Sequence, residues 1–288
     1  MSTQTASGRA PGAVPMMING VRTPLIDVGA RRDEAVLFLH GNPGSGADWR
    51  DLADAIAPFA RVLAPDMPGF GKADKPADFD YTVAGYAAHI EALLAALGIS
   101  RVHLVVHDFG GPWGLAWATA HPDHIASITL INVGIMRDYR WHFLARVWRL
   151  PLIGELFMAT TTRAGFRALL KIGNPRGLPR AYIDEMFDNF DAGTKRAVLR
   201  LYRATDGLGD AAERAVAALR PRDLDCLVIW GKADIYLPWR YAQAQREAFP
   251  RAEIVYLEDS GHWPFKDNPQ AVREALVPFL QRVTAASG

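Results

Sequence analysis

Three polar side chains in this chain stand just past apolar, strand-like runs. Asp108 follows VHLVV (102–106), Asp234 follows CLVIW (226–230), and His262 follows EIVYL (253–257). An attacking carboxylate, a histidine that takes a proton and a second carboxylate that orients the histidine are the parts of nucleophilic catalysis. Asp108 lies in HDFGG (107–111), whose small residues allow the sharp strand-to-helix turn that exposes one side chain. A helix starting behind it, over 110–120, would aim unpaired backbone N–H groups at the carboxylate and favour its ionised form. Asp is also a good helix cap. Capping alone, however, does not bring three such residues to one edge of a sheet. A carboxylate attacking an acyl carbon gives a reactive anhydride, whereas attack on an sp³ carbon bearing a leaving group gives an ordinary ester. The expected chemistry is therefore opening of an alkylating electrophile by Asp108, then hydrolysis of the ester by water that His262, oriented by Asp234, deprotonates. No GxSxG occurs, which argues against an ordinary serine esterase.

The elements that must position these residues alternate. AVLFLH (35–40), RVLAP (61–65), VHLVV, SITLINV (127–133), CLVIW and EIVYL read as strands between turn residues. VAGYAAHIEALLAALG (83–98) and GGPWGLAWATAHP read as helices. Continuous apolar strands alternating with helices predict an α/β fold with a mostly parallel sheet covered on both faces, ligands sitting at the carboxyl ends of its strands. Residues 135–215 break the alternation with amphipathic helical patterns and no convincing strand, and read as an inserted helical cap punctuated by Pro151, Gly154, Pro175, Gly177 and Pro179. The expected organisation is a flexible tail over 1–14, a core domain from 15–134 and 216–288, and the cap between.

Composition removes other classes. The chain has 288 residues, half of them hydrophobic, and a formal net charge of +1, so a large core is expected and a nucleic-acid footprint is not. The single cysteine, Cys226, excludes an intrachain disulfide framework and is expected inside a strand; no metal-ligand spacing is present. DMPGFGKADKP (66–76) lacks the phosphate-loop pattern and reads as a structural loop. The N-terminal stretch lacks a secretory signal and no apolar run reaches membrane-spanning length. A cytoplasmic, cofactor-independent protein, monomer or homodimer, acting on a small apolar electrophile and water is the expectation.

The order nucleophile, acid, histidine, with HGNPGS (40–45), DMPGFGKADKP and HDFGG, resembles the aspartate-nucleophile group of α/β-hydrolases, which holds epoxide hydrolases and haloalkane dehalogenases. The resemblance runs from about residue 20 to 283. It implies an eight-stranded sheet and an oxyanion hole from the backbone N–H groups of Asn42 and Phe109. Dehalogenases typically place a Trp after the nucleophile to hold the halide; Phe109 offers no side-chain donor. Epoxide hydrolases supply cap tyrosines that protonate the leaving alkoxide, and Tyr202 fits the second of these. The stretch where the first is expected, near 148–155, holds Trp148 and no tyrosine, with Tyr139 earlier and Tyr182 later. Trp148, Trp263 and His107 are expected to line the substrate pocket, His107 being also a candidate for shaping the turn around Asp108. Epoxide hydrolysis is thus the first expectation, haloalkane dehalogenation the alternative, with Asn42 as a halide donor, and a small-molecule receptor the third.

Overall fold

The computed structural model describes residues 13–286. Its sheet has eight strands: β1 (Val14–Ile18), β2 (Val21–Val28), β3 (Glu34–Leu39), β4 (Val62–Pro65), β5 (Arg101–His107), β6 (Ile125–Ile131), β7 (Asp225–Gly231) and β8 (Glu253–Leu257). Their order is β1-β2-β4-β3-β5-β6-β7-β8, parallel from β4 to β8, with the β1–β2 hairpin antiparallel at one edge. The six strands read from the sequence are β3 to β8. The hairpin adds the other two. Of the expected tail, residues 1–12 lie outside the described residues and Val14 already opens β1.

Twelve α-helices lie among the described residues: α1 (Arg50–Ile56), α2 (Val83–Ala96), α3 (Gly110–Ala120), α4 (Phe143–Arg149), α5 (Ile153–Thr160), α6 (Arg163–Gly173), α7 (Arg180–Asn189), α8 (Ala192–Ala204), α9 (Leu208–Leu219), α10 (Tyr241–Ala244), α11 (Pro264–Asp267) and α12 (Pro269–Ala285). The Thr82 hydroxyl caps α2 by accepting the Gly85 N–H at 3.1 Å. All of α4 to α9 fall between β6 and β7. The domain boundary expected at residue 215 falls inside α9, because Ala215 to Leu219 contain no breaker and the helix runs on to pack against α3. Gly154 does not break a helix either: it lies in α5, where a Cβ would meet the Trp148 carbonyl at 2.7 Å.

The central strands β3, β5, β6 and β7 are buried almost end to end, as their uninterrupted apolar runs require; Cys226 is buried in β7. The chain leaves β3 for β4 on one side and returns through α2 to β5 on the other. A crevice therefore opens beyond the carboxyl ends of β3 and β5. Asn42 follows one strand and Asp108 the other.

The loop after β3 also buries Asp48, and burial pushes its carboxyl up to about 7 against a weaker opposing pull from Lys266. With the folded value above the unfolded one, the folded state holds a proton between about pH 4 and 7 that the unfolded chain has released. Stability then declines as pH rises through that window. Asp48→Asn can still accept the Ser45 N–H bond made by Asp48 (3.2 Å). Its melting temperature is expected to exceed the wild type's at pH 8 and to match it near pH 4, as scanning calorimetry at the two values would show.

Candidate active site

Asp108 adopts a left-handed backbone, φ +48°, a conformation that costs a non-glycine residue of order 1 kcal/mol and is kept where a turn demands it. The strain turns the carboxylate out of the strand toward the loop after β3. There is room only because residue 41 is glycine: a Cβ on Gly41 would sit 2.2 Å from that of Asp108. The side chain does not cap α3. Phe109 holds the N-cap position without a side-chain bond, and the Gly111 N–H goes to the main-chain oxygen of Asp108 at 2.9 Å. The expected donors from the helix are thus replaced by others. The Asn42 N–H donates to Asp108 Oδ1 at 2.7 Å, and His262 Nε2 lies 3.4 Å from Oδ2.

His262 is fixed from its other side. Its Nδ1–H donates to Asp234 Oδ2 at 2.7 Å, which leaves Nε2 facing Asp108. Asp234, fully withdrawn from solvent, accepts three further bonds: Asn132 Nδ2 at 2.7 Å on Oδ2, and the N–H groups of Tyr236 (2.7 Å) and Leu237 (3.0 Å) on Oδ1. Asn132, directly after β6 with φ +47°, also takes the Gly231 N–H at 2.9 Å and donates to the Gly261 carbonyl at 3.1 Å. It ties the ends of three strands together. Gly261 allows the His262 loop to touch the end of α6: a Cβ there would lie 2.1 Å from the Gly173 carbonyl, which accepts the His262 N–H at 3.2 Å.

The electrostatics follow from this packing. Burial alone would raise Asp108, but the hydrogen bond and charge of His262, with smaller help from His107 and the Asn42 N–H, bring it down to about 2. Burial would lower His262, and the Asp234 and Asp108 carboxylates outweigh it, raising the imidazole to about 10. The free site is an ion pair. Esterification of Asp108 removes one of the two negative charges and lets His262 fall back toward the range of a base. His107, by contrast, is pushed down to about 3, chiefly by burial. It stays neutral and donates from Nε2 to the His262 carbonyl at 2.7 Å.

A mostly apolar cavity of about 380 Å³ opens over Asp108 and Phe109, within the range of small-molecule sites. Of the expected site residues, Asp108, Phe109 and Tyr202 line it; Asn42 and His262 stand beside Asp108. The three expected pocket residues do not line it. Trp148 packs behind Tyr202 with ring centroids 4.9 Å apart, Trp263 packs edge-on to His262 at 4.6 Å, and His107 lies beneath the turn. The wall comes instead from the segment between β6 and α4, with Tyr139, Trp141 and His142. Tyr139, in the segment between β6 and α4, lines the cavity too. Tyr182 lines a different, smaller cavity. The His142 Nδ1 accepts the Ala145 N–H at 3.3 Å and burial pushes the ring down to about 4, so a neutral imidazole faces the site. Tyr202 receives the Asn42 Nδ2–H at 3.3 Å, which leaves the phenol's own proton free. Arg149 donates to the carbonyls of Tyr202 and Thr205 and pairs with Asp206 at 2.6 Å.

Residues 34–269 match the family of the alpha/beta hydrolase fold. The chain belongs to that family. This α/β hydrolase is 29% identical to a cis-3-alkyl-4-alkyloxetan-2-one decarboxylase from Xanthomonas campestris, over 91% of this chain and 93% of the relative. It is 28% identical to a haloalkane dehalogenase from Mesorhizobium japonicum, over 88% and 86%. Its fold is that of the haloalkane dehalogenase DbeA from Bradyrhizobium elkani, with a TM-score of 0.81, 24% identity and coverage of 95% and 98%. Among the described residues no helix is long and apolar enough to cross a membrane.

Proposed function

We propose that this α/β hydrolase opens epoxides to diols through an ester on Asp108. The observation that carries the reading is the buried Tyr202 phenol, held by the Asn42 side chain at 3.3 Å at the wall of the cavity that contains Asp108. An epoxide leaves as an alkoxide, far more basic than a phenolate, and needs a proton. Burial and the nearby Asp108 charge hold the phenol well above its usual pKa, so it stays protonated and able to donate. In the cycle, an Asp108 oxygen bonds to the epoxide carbon as the carbon–oxygen bond breaks and Tyr202 supplies the proton. Once Asp108 is esterified, His262 gives up its proton, which restores the phenol of Tyr202, and the neutral imidazole deprotonates water that attacks the ester carbonyl between the N–H groups of Asn42 and Phe109. The leaving alkoxide takes that proton from His262 as the diol departs, and the Asp108 carboxyl group returns its own proton to His262 to restore the ion pair.

The Asn42 Nδ2–H beside the nucleophile favours a second reading, dehalogenation, in which it holds a departing halide; the Mesorhizobium relative bears that name. A halide needs no proton. Purified protein is therefore given styrene oxide in one assay and 1-bromobutane in the other, with Asp108→Asn as the control. The epoxide reading expects diol without bromide, and a loss of roughly a hundredfold or more in kcat on Tyr202→Phe. Bromide release that survives Tyr202→Phe would give the second reading first place.

A further inference from the structure

The cavity is longer than a small epoxide requires, and its far part has its own chemistry. Pro112, Leu115, Ala116 and Thr119 line it from α3 at positions i, i+3, i+4 and i+7, a single helical face that extends about 10 Å away from Asp108. Facing them across the α3–α9 packing are Ala211, Ala212 and Ala215. Small side chains on both walls leave a smooth apolar channel, the length of roughly eight methylene groups. Two charged residues besides Asp108 line it, Asp206 and Arg214, and both are exposed, so they mark where it opens to solvent. They are not equivalent. Asp206 is paired with Arg149 at 2.6 Å, whereas Arg214, one turn after Asp210 on α9, makes no ion pair among the described residues. The mouth of the channel therefore carries one uncompensated guanidinium.

We propose that the substrate is an apolar chain with a terminal carboxylate, its electrophilic carbon seated at Asp108 and its carboxylate bound by Arg214. The planar guanidinium suits bidentate pairing with a carboxylate, and the channel between is mostly apolar. The reading deepens the alkylating-electrophile function by naming the substrate class, but its test needs no turnover.

Decanoate and 1-decanol share a chain, carry no electrophile and differ in the end group. Calorimetric titration of the wild-type protein is expected to show decanoate binding roughly five- to tenfold more tightly, with the advantage shrinking in high salt. Arg214→Gln should abolish the difference and leave the 1-decanol affinity unchanged. Ala212→Trp, which fills the channel, should weaken both; if that variant does not fold, the Arg214→Gln comparison decides alone. Equal affinities in the wild type, a preference that persists in Arg214→Gln, decanoate binding retained in a folded Ala212→Trp protein, or no binding of either ligand would each overturn the proposal. Because neither ligand can react, failure of the epoxide assay leaves this result standing, and the reverse.

Discussion

A His262→Gln protein is expected to complete the first half of the reaction and stop. Glutamine fills a similar volume but cannot accept a proton from water, so the ester on Asp108 has no means of hydrolysis. Formation of the ester should survive, because Asp108 keeps the Asn42 N–H at 2.7 Å and the strained turn that presents it. Steady-state kcat should fall by roughly a thousandfold or more. Intact-mass measurement after incubation with a substrate that the wild type turns over should show a stoichiometric increase, located by peptide mapping on Asp108. A protein that loses turnover to the same degree and carries no adduct would mean that His262 acts before or during attack, and the covalent cycle would be wrong. The about-10 pKa of His262 adds a second readout. In the wild type the ester form should have the lower His262 pKa, so kcat should rise with pH and level off below pH 10.

The candidate site was legible because each of its members is tied to a strand end. Asp108, Asp234 and His262 each follow a largely apolar run, and such runs read as strands whose ends share an edge. Asn42 was expected there only through the family resemblance; in the structure β3 and β5 are neighbours, and the loop after β3 brings it to Asp108. Asn132 follows β6 in the same manner and could have been found by that rule; polar residues just past every strand were the available signal. The pocket was less legible. Trp148 and Trp263 are aromatic and near the right sequence positions, but aromatics fill cores as readily as they line cavities. Which residues between β6 and β7 face the site depends on how α4 packs against α8, and no local pattern states that. Tyr139, Trp141 and His142 lie in a segment without regular structure, where periodicity offers no guide. The β1–β2 hairpin escaped for a related reason: Pro15, in the edge strand β1, and its partner Pro24 in β2 interrupt both runs.

The second large effect is expected from Asp234→Asn, which changes one atom and leaves the volume alone. The Asp234 carboxylate accepts four hydrogen bonds and donates none: Asn132 Nδ2 and His262 Nδ1 on one oxygen, the Tyr236 and Leu237 N–H groups on the other. An amide has one acceptor oxygen and an NH₂ group, so one of these oxygen positions must become a donor facing donors. If the oxygen stays with Tyr236 and Leu237, the NH₂ meets Asn132 Nδ2 and the imidazole. His262 can relieve the conflict by moving its proton to Nε2, the atom that must take a proton from water. The substitution thus favours the wrong tautomer and removes the carboxylate charge that outweighs burial in raising His262. A loss of roughly a thousand- to ten-thousandfold in kcat is expected, by analogy with the effect of the same change in a Ser-His-Asp triad. The proton resonance of the His262 ring should titrate well below 10. Substrate affinity should change little, since Asp234 does not line the cavity. A variant that keeps the wild-type titration would show that Asp108 alone sets the charge of His262. The four-bond cradle would then serve only to hold the β7–α10 loop in place.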